Sequence, residues 1–168
     1  MPRSEVGQHS VVLSLLLTVA KASVIAISIL MVIVTLSQVI FRYVLATPLP
    51  WSEELARYCF VWIVFLGAAI GFSRGIHLGV DLFVNTLPEP VRRGVETLTN
   101  VLIATFAATV IYASLPVINI NMFQRSPAIG VQMSWIYMAI PISMGLIFLI
   151  CAERVIKDLF ARQEREVD

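Results

Sequence analysis

At 168 residues, 58% hydrophobic and 14% charged, with a mean hydropathy of +0.87, the chain lies outside the range of soluble domains, which carry about 25% charged residues. A net charge of +1, with no basic patch interleaved with aromatics, leaves no footprint for nucleic acid. The two cysteines, Cys59 and Cys151, stand in apolar runs and form no CxxC pair, which argues for plain packing rather than zinc or redox chemistry.

Four uncharged stretches account for the hydropathy: Ala22 to Phe41, Tyr58 to Ser73, Thr97 to Gln124 and Ser126 to Ala152, of 20, 16, 28 and 27 residues. About 20 apolar residues cross a bilayer core, so three suffice alone. The second is completed by upstream residues and by arginines that snorkel. The expected fold is an all-α membrane protein forming one membrane domain over 1–168, with spans near 11–43, 53–74, 95–120 and 133–153. The start imitates a secretory signal, with Arg3, an apolar run from Val11 to Ala20 and then Ala20-Lys21-Ala22. The apolar run resumes at once, however, so 11–43 reads as a single long helix of about 50 Å that must tilt or protrude.

Next in chain order, the first turnaround carries two helix-breaking prolines, Pro48 and Pro50, and Ser52 is placed to cap the following helix. Glu53 and Glu54 fall in its first turn, where the helix dipole favours negative charge, and Trp51 suits the interfacial belt. Along this second helix Trp51, Glu54, Tyr58, Trp62, Phe65 and Ala69 share one face, while Gly67, Gly71 and Gly75 share roughly the opposite one. Glycines four apart admit a close neighbouring helix. The aromatic face fits either a second neighbour or lipid.

After Gly75, the residues Ile76, Val80, Phe83, Val84 and Leu87 recur at helical intervals opposite His77, Asp81 and Asn85. This predicts a short amphipathic helix over 76–87 lying in the interface. His77 and Asp81 lack a third metal ligand nearby and read as a solvated face. The third span carries Thr105, Thr109, Tyr112, Pro116 and Asn119 on one stripe, suited to bonds across helices. The fourth begins after Pro127-Ala128-Ile129-Gly130, is anchored by Trp135 and Tyr137, and contains Pro141 as a predicted kink. Nine Lys and Arg lie before the first uncharged stretch, between the second and third, or after the fourth; only Arg42, Arg57 and Arg125 lie on the other side. The positive-inside rule then places both termini in the cytoplasm.

The chain has no midplane carboxylate for proton or ion coupling, no histidine inside the bundle for haem, and no hydrolase or nucleotide motif. It reads as a non-enzyme without a cofactor of its own. The charged motif at the mouth of the second helix is its most informative feature. Glu53 with Arg57, and either glutamate with Arg42 across the turn, are candidate locks between the first two helices; otherwise one of these charges reaches a partner. The candidate interface residues are Arg42, Trp51, Glu53, Glu54, Arg57, Tyr58, Trp62, Phe65, Gly67 and Gly71.

Arg42-Tyr43, Trp51-Ser52-Glu53-Glu54 with Ala56-Arg57-Tyr58, Trp62, Phe65-Leu66-Gly67, His77 and Leu87-Pro88 resemble the small membrane subunit of tripartite ATP-independent periplasmic (TRAP) transporters. Ser126-Pro127-Ala128-Ile129-Gly130, Trp135, Tyr137 and Ile140-Pro141 extend the resemblance over about Ala22 to Cys151, with Val131 where the family often has proline. The resemblance implies a bacterial inner-membrane role as scaffold beside a large elevator-type subunit that holds the sodium and solute sites. It also implies a periplasmic binding protein that delivers an organic acid, without ATP. The alternative from the residues alone is an independent small channel or carrier formed by an oligomer.

Overall fold

The computed structural model describes residues 10–74 and 89–165, and all regular elements among them are helices. They are α1 (Val11–Tyr43), α2 (Pro50–Ser73), α3 (Glu89–Ile120), the short α4 (Met133–Tyr137) and α5 (Ala139–Arg165). Four of them contain windows long and apolar enough to cross a membrane, the fourth running through α4 and α5. The predicted interfacial helix at 76–87, with His77 and Asp81, lies outside the described residues.

Each helix boundary has a local cause. Ser10 caps α1, its hydroxyl accepting from the Leu13 N–H at 3.4 Å. The chain leaves α1 through Ala46, which takes a left-handed φ of 54° in the turn before Pro48. Ser52 is not the cap of α2. The helix starts two residues earlier, with Leu49 as N-cap and Pro50 at its head, where a missing N–H costs nothing and φ is already helical. Ser52 is fully buried instead, its hydroxyl donating to the Leu49 carbonyl at 2.7 Å. α3 begins before the apolar stretch, with an Arg92–Glu96 pair at 2.8 Å in its amphipathic first turns. The predicted kink at Pro141 is realised as a break at Met138 between α4 and α5. Proline at 141 has no N–H to give the Tyr137 carbonyl four residues back, and the ladder parts there.

The helices run up, down, up and down, so α1 begins and α5 ends at the same end of the bundle. α1 packs along α2, α3 packs along α5, and α2 joins the pairs by packing on α5. The shared core is Ala20 of α1, Leu66 and Ala69 of α2, Ala107 of α3, and Leu146, Ile147 and Cys151 of α5. Ala69 and Ala107 are completely covered. In a bilayer the lipid tails are as apolar as the core, so close packing of small residues, rather than escape from water, drives such contacts. Alanines do this work here. A Cβ built on Gly67 or Gly71 would meet no atom within 4 Å, so among the described residues no helix packs closely on these two glycines.

Candidate functional site

The charged head of α2 becomes a site through a contact 74 residues away in sequence. Glu54 extends its carboxylate to the 126–130 loop, where Oε2 accepts from the Ala128 N–H at 3.0 Å. Oε1 accepts from the Tyr58 hydroxyl at 2.5 Å, with the Ser126 side chain close by. The loop is built to present these donors. Arg125 and Gln132 pair as an antiparallel bridge, Ser126 N–H donates to the Val131 carbonyl at 2.8 Å, and Gly130 N–H donates to the Ser126 carbonyl at 2.9 Å. Gly130 sits at φ +77°, where a side chain would be strained. Ser126 is 3% exposed and its hydroxyl also accepts from the Ile129 N–H at 3.2 Å, so the Ser-Pro-Ala-Ile-Gly sequence folds into one turn seated on Glu54. Tyr58 ties the same site to α4, its hydroxyl lying 3.5 Å from the Met133 sulfur.

The other charges of the motif do less. Arg57 reaches Glu53 at 3.3 Å, with about 68% and 71% of the two side chains exposed. An exposed i,i+4 pair contributes about 0.3–0.5 kcal/mol. Glu53→Gln is therefore expected to shift chemical denaturation of the chain by less than about 1 kcal/mol. Arg42 pairs with neither glutamate. It lies at the exposed end of α1, 5.9 Å from the Tyr43 ring centre, so the first two helices are not locked by a charge across the turn. Glu54 is already committed to the 126–130 loop.

The aromatic face of α2 divides along its length. Trp51 at the helix mouth is 41% exposed, Tyr58 joins the Glu54 site, and Trp62 packs against the shared core with Ala69 beyond it. Phe65 is half-buried. Among the described residues the hydroxyl stripe of α3 makes no bond across helices: Thr105 and Thr109 donate to the carbonyls of Val101 and Thr105, four residues back, at 2.8 and 2.9 Å. Tyr112 on the same stripe is 78% exposed.

At the opposite end of the bundle the structure reveals residues that sequence patterning read only as cationic flanks. Arg154 of α5 donates to the Phe72 and Ser73 carbonyls at 3.2 and 3.5 Å, and its guanidinium lies 5.0 Å from the Phe72 ring centre. A cation there satisfies orphan carbonyls and complements the negative end of the α2 dipole. One residue earlier, Glu153 accepts from the Ser10 N–H at 2.6 Å and pairs with Lys157 at 2.8 Å, which pins the start of α1 to α5. Thr97 donates a hydrogen bond to Asp158, joining α3 to the same cluster. Polar locks thus sit at both ends, and the uncharged stretches lie between them.

Among the described residues no three metal-ligating side chains converge. Comparison with known proteins fits this picture of a packed membrane unit. Residues 31–161 match the family model described as tripartite ATP-independent periplasmic transporters, DctQ component. A Haemophilus influenzae protein named as a TRAP transporter small permease is 31% identical over 136 residues, 79% of this chain and 82% of that protein. The sialic acid TRAP transporter small permease protein SiaQ of Vibrio cholerae is 28% identical over 109 residues, 65% of this chain and 62% of SiaQ. The isethionate TRAP transporter permease protein DctMQ of Oleidesulfovibrio alaskensis is 32% identical over 111 residues, 65% of this chain but 17% of that longer protein. With four membrane-crossing helices and a family match over most of its length, the chain belongs to the DctQ component family of tripartite ATP-independent periplasmic transporters and is a small permease subunit.

Proposed function

We propose that this chain is the stationary scaffold of a sodium-coupled importer of an organic acid, paired with a large elevator-type permease subunit and served by a periplasmic binding protein. The observation that carries the reading is the distribution of charge. The four uncharged stretches of 16 to 28 residues leave the middle of the bundle without a carboxylate, cation or histidine. An ion-coupled carrier needs such groups, or unwound backbone, near the midplane. This bundle offers packed helices and end locks instead, which suit a frame. Sodium and solute sites then belong to the large subunit, and the chain itself has neither catalytic role nor cofactor. Two relatives, named for sialic acid and isethionate transport, support an organic anion as the solute. The match of this chain to a minor part of a longer permease supports the large subunit as its neighbour. Charge asymmetry supports an inner-membrane orientation with both termini cytoplasmic, surrounded by lipid on its remaining faces.

Reconstitution tests this. In proteoliposomes under an inward sodium gradient, labelled sialic acid or a C4-dicarboxylate is expected to accumulate only when the large subunit, the binding protein and this chain are all present. Accumulation driven by this chain alone overturns the scaffold reading in favour of an independent carrier.

A further inference from the structure

α1 touches α5 at the end pinned by Ser10 and Glu153, and the two helices enclose a groove of about 530 Å³ beyond that contact. Its walls include Leu16 and Ser23 of α1 and Gly145 and Leu149 of α5; Trp62 and Leu66 of α2 also line it. Two features of this groove are unexplained by the chain itself. A Cβ on Gly145 would meet no atom within 4 Å, so no internal packing calls for glycine there. Trp62 stands at the middle of α2, twelve residues from Pro50 and eleven from Ser73. Its indole N–H has no hydrogen-bond partner among the described residues.

An indole N–H is a donor only, and at the depth of the membrane midplane no water satisfies it. An acyl chain would cover Leu16 and Leu149 but brings no acceptor to that depth. A transmembrane helix does, through a hydroxyl, an amide or a carbonyl freed from its own ladder, and small residues such as Gly145 and Ser23 let such a helix come close. We infer that the α1–α5 groove is the seat of one transmembrane helix of the large permease subunit, which presents an acceptor to the Trp62 indole. This rests on the scaffold reading above and adds to it the face by which the scaffold holds its neighbour. It also separates that face from the Thr105–Tyr112 stripe, whose threonine hydroxyls already bond their own helix.

The test uses the complete membrane complex. Trp62→Phe keeps the ring and removes the donor; Gly145→Leu fills the groove. Because the indole makes no hydrogen bond among the described residues, Trp62→Phe is expected to leave the melting temperature of the isolated subunit unchanged. The same variant should weaken association with the large subunit about three- to tenfold, the scale of one interhelical hydrogen bond. Gly145→Leu should weaken it further. A benzophenone photoprobe placed at Leu16 or Leu149 should cross-link to the large subunit, and one at Tyr112 should not. Cross-linking from Tyr112 alone, or only phospholipid captured from the groove, overturns the groove as the seat while leaving the scaffold reading intact. Failure of the unaltered chain to copurify with a large permease subunit overturns both.

Discussion

Replacing Glu54 with alanine is expected to release the 126–130 loop from the head of α2, whereas the same change at Glu53 leaves the loop in place. The carboxylate of Glu54 is the common acceptor for the Ala128 N–H and the Tyr58 hydroxyl. Removing it leaves two donors without their partner at once, which costs more than an average hydrogen bond because each must be resolvated separately. Exchange of the Ala128 amide should accelerate about tenfold or more. Cleavage after Arg125 by trypsin should become detectable. Glu54→Gln should fall between the two, since an amide oxygen still accepts from Ala128 but no longer as an ion. Unchanged protection of Ala128 in Glu54→Ala would show that the loop is held by its Arg125–Gln132 bridge alone. On the scaffold reading, this loop and Trp51 lie on the periplasmic side, so the Glu54→Ala subunit should also support less binding-protein-dependent uptake.

The contrast between the two glutamates shows what patterning along the chain reveals and what it hides. Four helices were legible because the uncharged stretches exceed what any soluble core demands, and local punctuation at Pro48, Pro50 and Pro141 marks their ends. The glutamates were legible as costly charges at the mouth of a helix. Their partners were not. Glu53 with Arg57 follows from i,i+4 spacing, but Glu54 with Ala128 joins residues 74 apart through a backbone N–H, which has no residue-type signature. The nearest hint was Ser126-Pro127-Ala128-Ile129-Gly130 itself, a turn whose Gly130 needs positive φ and whose amides must point somewhere. Gly67 and Gly71 show the other side of this. Their spacing advertised a close helix contact, yet the fully covered small residues among the described ones include Ala69, Ala107, Ala139 and Ser143 and neither glycine. Spacing marks a face; it does not say which neighbour fills it.

Arg154 carries the second large effect. Its guanidinium closes the C-terminal end of α2 by donating to the Phe72 and Ser73 carbonyls, and it lies over the Phe72 ring. Three contributions add there. A charge-assisted hydrogen bond is worth about 1.5–3 kcal/mol, the helix dipole about 0.3–1, and stacking on an aromatic face about 0.5–1 at a partly exposed site. They share one side chain and overlap, so Arg154→Met is expected to cost about 2–4 kcal/mol of stability, read as a lower midpoint in detergent denaturation. Methionine retains the apolar contact with Phe72, which assigns the loss to the polar head rather than to packing. Arg154→Lys should recover only part of it, because an ammonium reaches one carbonyl and cannot lie flat on the ring. Full recovery by lysine would mean that the positive charge alone closes the helix. The consequence for the bundle follows from position: Arg154 adjoins Glu153, which holds the start of α1, so one turn of α5 fixes the ends of both α1 and α2. Losing Arg154 should let the end of α2 splay while Glu153 still holds α1. Trp62 and Leu66 of α2 line the α1–α5 groove, so the Arg154→Met subunit should also release its large partner more readily than Glu53→Gln does.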